Sequence, residues 1–123
     1  MEGNKASVFS QVSSRQYLTQ AIGRQLCLIR KARGLRGDDI AKKLGVSQQQ
    51  VSRYERGVCK MDVDALVYLL NQLNEPLDQF FYDVSLILKN EVPKVYAEYQ
   101  LLFFPLINYS NESCFLTKTE SYS

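Results

Sequence analysis

Ser47-Gln48-Gln49-Gln50-Val51-Ser52-Arg53-Tyr54-Glu55-Arg56-Gly57 spells out a short helix with both of its ends specified. Ser47 is placed to cap the first turn, and Gln50, three residues on, can return the bond in an S-x-x-Q capping box. Gly57 stands where a left-handed residue closes a helix. Val51 and Tyr54 are the whole apolar seam, and Gln48, Gln49, Gln50, Ser52, Arg53 and Arg56 leave the remaining surface polar. Such a helix buries little of itself. Gln pairs bidentately with the N6/N7 edge of adenine, and Arg with the O6/N7 edge of guanine. Gln and Arg clustered at a helix N-terminus therefore suit a helix that reads the major groove. The alternative for these residues alone is a solvated surface helix.

The residues just before it strengthen the first reading. Gly37-Asp38-Asp39-Ile40-Ala41-Lys42-Lys43-Leu44-Gly45 is a second short helix, with Asp38 and Asp39 in the first turn, where the helix dipole favours anions. Ile40 and Leu44 face inward, and Gly45 takes the positive φ of a tight turn. Only Val46 then separates it from Ser47, so the two helices must cross steeply, as in a helix-turn-helix. Ala41 suits their closest approach. Ile40, Leu44, Val46, Val51 and Tyr54 are the expected core between them.

A net charge of +2 conceals a strong asymmetry. Arg15 to Lys60 holds eleven Lys/Arg against Asp38, Asp39 and Glu55, a balance of +8; Met61 to Ser123 holds three Lys against nine acids, a balance of −6. The basic half contains the Gln/Arg helix, and a basic face is the footprint of a polyanion partner. An apolar content of 46% in 123 residues supports one domain with a core. No apolar run of about 18 residues predicts a membrane span, and Met1 to Ser14 lacks the apolar core of a secretory signal. Cys27, Cys59 and Cys114 are odd in number, form no C-x-x-C, and have no histidine to complete a zinc set. A reduced, cytoplasmic setting follows. With no histidine, no glycine-rich phosphate loop and no paired-carboxylate setting, catalysis is not expected. Asp38 and Asp39 diverge on their helix, so no metal is expected either, nor any cofactor or small-molecule ligand.

Residues 1–14 are rich in Ser, Gln and Asn and read as a flexible segment. A helical pattern starts around Tyr17, with Leu18, Ile22, Leu26 and Ile29 on one face and Arg24, Gln25 and Lys31 on the other, and Gly34 closes it. After Gly57 a loop leads to Asp62, expected to cap a fourth helix with Val63, Leu66, Val67, Leu69, Leu70 and Leu73 inward and Asn74 as a left-handed stop. Pro76 opens a short fifth helix, Leu77 to Phe81, with Leu77, Phe80 and Phe81 inward. Val84 to Leu88 is a strand or a helix. Pro93 opens a further helix, which Pro105 ends. From Asn108 onward the composition predicts disorder.

Leu26-x-x-Ile29-Arg30, Leu35, Ile40-Ala41-x-x-Leu44-Gly45-Val46-Ser47, Val51-Ser52-x-Tyr54-Glu55-x-Gly57 and Leu66…Leu73…Leu77…Phe80 together resemble the λ-repressor-like (XRE, Cro-type) helix-turn-helix domain over Leu26 to Phe81. Within that group, SQQQVSRYE at Ser47 to Glu55 is similar to the MrpJ-like fimbria-associated regulators of enteric bacteria. The resemblance implies an all-α fold: a five-helix λ-repressor-like DNA-binding domain with an additional C-terminal helix. The domain occupies 15–82 with its motif at 37–56, an extension occupies 83–107 and a polar tail 108–123. The resemblance also implies base contacts from Gln48, Gln49, Gln50 and Arg53, and phosphate contacts from Arg36, Lys43, Ser47, Arg56 and Lys60. The family usually carries Ser or Thr at position 36 and often Gln at 37. Here Arg36 and Gly37 stand there, so a cap is lost at a cost of roughly 0.5–2 kcal/mol unless Asp38 or Asp39 substitutes. Arg30 and Glu55 fall on inward-leaning positions that the family commonly pairs, which predicts a structural ion pair.

Bacterial repressors of this fold bind two-fold DNA sites as dimers. A dimer surface is expected in the acidic half, on Val95, Tyr96, Tyr99, Leu102 and Phe103, with Phe104 beside them. The alternative is that this helix completes the monomer core. The expected function is a sequence-specific transcriptional regulator of double-stranded DNA, working as a homodimer on fimbrial or motility genes. An antitoxin that autoregulates its operon is the second reading, and a protein-interaction adaptor the third.

Overall fold

A computed structural model describes residues 2–103, with side chains from 14 to 103. The helices are α1 (Glu2–Ala32), α2 (Gly37–Leu44), α3 (Gln48–Glu55), α4 (Val63–Gln72) and α5 (Leu77–Glu91). A sixth, α6, starts at 93 and continues through 103. No strand occurs among the described residues, and the fold is all-α with one helix beyond the first five.

Two helices are longer than their patterns suggest. The segment 1–14, set apart above as flexible, is instead helical from Glu2, continuous with the rest of α1. The reason is local: between Asn4 and Ile22 there is neither proline nor glycine to stop a helix. Ser14 is buried, and its hydroxyl donates to Glu98 Oε1 of α6 at 2.9 Å. The fifth helix runs to Glu91 rather than stopping at Phe81, which settles Val84 to Leu88 as helical. Phe80, Val84 and Leu88, spaced by four residues, form a fully buried stripe along it. Phe81 is half-buried and meets the Phe80 ring edge-on, with centroids 5.2 Å apart.

The core gathers Ala21, Leu26 and Ile29 of α1, Ile40 and Ala41 of α2 and Val51 of α3. Leu66, Leu69 and Leu70 of α4, with Leu73 just beyond it, Phe80, Val84 and Leu88 of α5, and Val95 and Phe103 of α6 complete it. Three expected core residues lie outside it: Val63, Val67 and Leu77 are exposed. Four residues already seal α4 against its neighbours, so the flanking valines fall on the solvent edge. Conversely Gln25, assigned above to the polar face, is buried, and its Nε2 donates to Asp83 Oδ2 at 3.3 Å. Burial, with a contribution from nearby Glu75, pushes the Asp83 carboxyl above its ordinary pKa despite a hydrogen bond from Gln79.

α6 packs on its own domain. Val95 and Phe103 retain only 4% and 3% of their accessible surface, and Tyr96 and Tyr99 are half-buried against the same core. That corrects the expected dimer surface at Val95 and Phe103, which are consumed within the monomer. Leu102 stays 70% exposed and Leu101 beside it 87%. Phe104, the rest of the extension and the expected tail at 108–123 lie outside the described residues.

α1 and α3 touch at a residue that the apolar pattern does not single out. A Cβ on Gly23 would stand 2.1 Å from the Tyr54 carbonyl oxygen and 2.9 Å from that of Glu55. Gly23→Ala should therefore destabilise the protein by about 1–3 kcal/mol or more, because the obstacle is backbone and cannot rotate away. Gly37→Ala, whose Cβ would meet only the Gln48 side chain at 3.6 Å, should leave stability unchanged or slightly higher. Urea unfolding of the two variants checks the contrast.

Candidate nucleic-acid interface

The turn between α2 and α3 is built from backbone. Gly45 adopts φ 69° and ψ 33°, and its N–H and that of Val46 both donate to the Ala41 carbonyl, Val46 at 3.0 Å. A left-handed residue there reverses the chain in a single step. Ser47 then caps α3, its hydroxyl accepting from Gln50 N at 3.1 Å. At the start of α2, Arg36 cannot cap through its side chain, which has no acceptor. Asp39 substitutes, accepting from the Arg36 N–H at 2.7 Å. The lost hydroxyl at position 36 thus leaves the acidic half of the capping box in place.

α3 buries Val51 alone, with Tyr54 half-buried. Its position depends on its last turn. Arg30 Nε donates to Glu55 Oε2 at 2.7 Å and Arg30 Nη2 to Glu55 Oε1 at 3.0 Å, a bidentate pair whose side chains keep 16% and 13% of their surface. Arg30 Nη1 donates to the Leu35 carbonyl at 3.0 Å, and Nη2 also lies 3.7 Å from Cys27 Sγ. One guanidinium therefore joins α1, the α1–α2 turn and α3. The Glu55 hydrogen bonds raise the Arg30 pKa further, against the opposing effect of burial, so the guanidinium stays charged.

The side chains expected to read bases are presented unevenly. Gln48, Gln49 and Arg53 are exposed, as is Ser52, whereas Gln50 is half-buried. Gln49 and Arg53 are four residues apart and share a face. Gln48 lies beside Gly37, in the space a larger residue there would take. Of the expected phosphate contacts, Arg36, Ser47, Arg56 and Lys60 are exposed and Lys43 is half-buried. Arg56, though exposed, is tied to its own helix by its Nε, which donates to the Ser52 carbonyl at 3.3 Å.

Charge pairing divides the basic residues. Arg24 pairs with Glu91, Arg30 with Glu55, Arg33 with Glu75 at 2.9 Å and Lys42 with Asp38 at 3.3 Å. Among the described residues, Arg15, Arg36, Lys43, Arg53, Arg56 and Lys60 have no carboxylate within ion-pair distance, nor do Lys31, Lys89 and Lys94, which lie on α1, α5 and α6. No group of three or more His, Cys, Asp or Glu among the described residues is placed to hold a metal ion. No described helix is long and apolar enough to cross a membrane.

A short helix, a turn hinged on Gly45 and a second short helix with exposed polar side chains form a helix-turn-helix. Residues 21–79 match the family described as "Helix-turn-helix domain". Similar proteins include an uncharacterised HTH-type transcriptional regulator of Rickettsia conorii, 30% identical over 66 residues, which are 54% of this chain and 53% of that protein. A second is an uncharacterised HTH-type transcriptional regulator of Rickettsia prowazekii, also 30% identical over 66 residues, 54% of this chain and 51% of that protein. A third is an uncharacterised transcriptional regulator in the ATPase CF(0) region of Rhodospirillum rubrum, 33% identical over 64 residues, 52% of this chain and 59% of that protein. The aligned stretch thus spans only about half to three-fifths of each relative. No solved structure matches.

Sequence reasoning missed Gly23, Ser14 and Gln25. A glycine inside a helical pattern was the one available signal, since it commonly marks a close backbone approach. The Arg30–Glu55 pair makes a measurable claim. Arg30→Met or Glu55→Leu alone should cost about 2–4 kcal/mol, somewhat below the range for fully buried pairs because solvent reaches both groups. The double variant should recover part of that loss. A double-mutant cycle in urea reads the coupling, and zero coupling would mean that the pair does not hold α3.

Proposed function

We propose that this protein is a sequence-specific DNA-binding transcriptional regulator that inserts α3 into the major groove. The observation that carries the reading is the exposed set Gln48, Gln49 and Arg53 on a helix too polar to be a packing element, fixed at its far end by Arg30 and Glu55. Gln and Arg supply bidentate hydrogen bonds to adenine and guanine edges. Gln50, half-buried, reaches bases only from the edge of the contact. Arg36, Lys43, Ser47, Arg56 and Lys60 meet phosphates around the groove, which set orientation without reading sequence. The relatives, each named a transcriptional regulator, support the same reading. A DNA target implies a cytoplasmic protein, and the similarity of SQQQVSRYE to fimbria-associated regulators points to fimbrial or motility genes as targets.

Gln49→Ala should cost about 1–3 kcal/mol on the preferred site and relax selectivity at one base position. Lys60→Ala should weaken all sequences alike and flatten the salt dependence. Selection from a randomised duplex library, run in parallel on both variants, separates the two effects; identical profiles would defeat the assignment of roles.

A domain that presents one short reading helix covers a half-site, so the regulator works as a homodimer. Leu101 and Leu102 on α6, next to half-buried Tyr99, are an exposed apolar edge in the acidic half of the chain. A Leu101→Asp, Leu102→Asp double variant should keep its thermal stability, sediment as a monomer and bind a two-fold site at least tenfold more weakly. A variant that still sediments as a dimer removes this edge from the interface.

A further inference from the structure

A groove of about 380 Å³ lies between α1 and the turn that follows α3. Arg15, Gln16, Thr19 and Gln20 line one side, and Arg56, Gly57, Val58 and Lys60 the other. Three of these eight residues are cationic, and no acid is among them. Further along α1 and just beyond its end the arginines have partners: Arg24 has Glu91, Arg30 has Glu55 and Arg33 has Glu75. Arg15, Arg56 and Lys60 have no such carboxylate among the described residues. Three unneutralised like charges around one groove repel one another and favour an anion between them.

The groove is also rigidly built. Gly57 has φ 72°, and a Cβ there would stand 2.6 Å from Gln20 Cα, so at this residue the turn lies in direct contact with α1. Thr19 is held to its own helix by a 3.0 Å bond from its hydroxyl to the Arg15 carbonyl. Arg56 caps the C-terminal end of α3, the end away from the base-reading turns. When the first turns of α3 enter the major groove, the residues after α3 face the sugar-phosphate backbone at its margin.

We propose that α1 carries a phosphate contact of its own: Arg15, facing Arg56 and Lys60 across this groove, clasps the DNA backbone flanking the bases that α3 reads. This rests on the regulator reading above and adds a residue outside the helix-turn-helix motif to the DNA surface. The occupant is a phosphodiester of the duplex. Two arginines and a lysine offer forked and point donors to successive phosphate oxygens, while Gln16 and Gln20 supply neutral amides at the same wall.

The test uses the full chain with two duplexes, a site enriched from a random library and a scrambled duplex of equal length, each titrated at several salt concentrations. Arg15→Gln should weaken both by the same factor and reduce the slope of log K against log salt by about 0.9, the release expected for one phosphate. Melting temperature should stay constant, since Arg15 is exposed. Arg24→Gln, which removes a cation already paired with Glu91, should leave the slope as in the wild type. An unchanged slope for Arg15→Gln overturns the proposal, as does an equal loss for Arg24→Gln, which would reduce the effect to net charge. Saturable binding of inorganic phosphate that Arg15→Gln abolishes, without a change in duplex slope, would reassign the groove to a free anion. A wild-type chain that binds neither duplex would defeat the regulator reading itself. Steep wild-type binding with a silent Arg15→Gln defeats the groove assignment alone.

Discussion

The guanidinium of Arg30 is the point from which the helix-turn-helix half of the molecule takes its shape. α3 contributes one fully buried side chain, Val51, and cannot be held by apolar packing alone. A bidentate, part-buried Arg–carboxylate pair supplies direction as well as attraction, because two parallel hydrogen bonds fix the rotation of the carboxylate-bearing helix. The third donor, to the Leu35 carbonyl, ties the same group to the turn that launches α2. Gly23 is the steric counterpart. Its missing side chain lets the carbonyls of Tyr54 and Glu55 come against α1, within reach of Arg30 seven residues further along the helix. An ion pair of this kind is not a large source of net stability, since desolvation offsets much of its Coulomb energy. Its contribution is to orient a helix whose outer surface is committed to polar side chains.

The same division of charge runs over the rest of the basic half. Arg30, Arg33 and Arg24 are neutralised by Glu55, Glu75 and Glu91, and these pairs stitch α1 and the residue just after it to α3, to the α4–α5 turn and to α5. Cations around α3 and the turn after it have no such partners among the described residues. Exposed pairs such as Lys42–Asp38 contribute little to stability in water. Their effect is on the local field, which the unpaired cations around α3 keep positive.

α6 shows how one apolar stretch can serve two ends. Val95 and Phe103 close the core, and the Ser14 hydroxyl anchors Glu98 to α1. Leu101 and Leu102, on the adjoining face, remain in solvent. A helix turns about 100° per residue, so consecutive apolar residues cannot all face inward. The aromatic richness that suggests an interface in the sequence is therefore split between the monomer's own packing and a narrower outer edge.

The short helices of the motif were legible because their signals are local. Ser47, Gly45, Gly57 and Asn74 act through capping and positive φ, which depend on neighbours a few residues away; all four positions behave as their residue types require. The polarity of Gln48, Gln49 and Arg53 likewise marks them as outward-facing in any packing. Helix lengths were less legible, because polar composition around residues 4–16 resembles that of a loop although nothing there breaks a helix. Tertiary structure alone decided that Gln25 is buried while Val63, Val67 and Leu77 are exposed, since burial depends on which helix covers a face and not on the side chain's own hydropathy. It alone decided that Gly23 faces a carbonyl, and that Arg15, some forty residues from Arg56 and Lys60 in the chain, shares a groove with them. Contacts between residues distant in sequence leave no local pattern, and only the packing of helices brings them together.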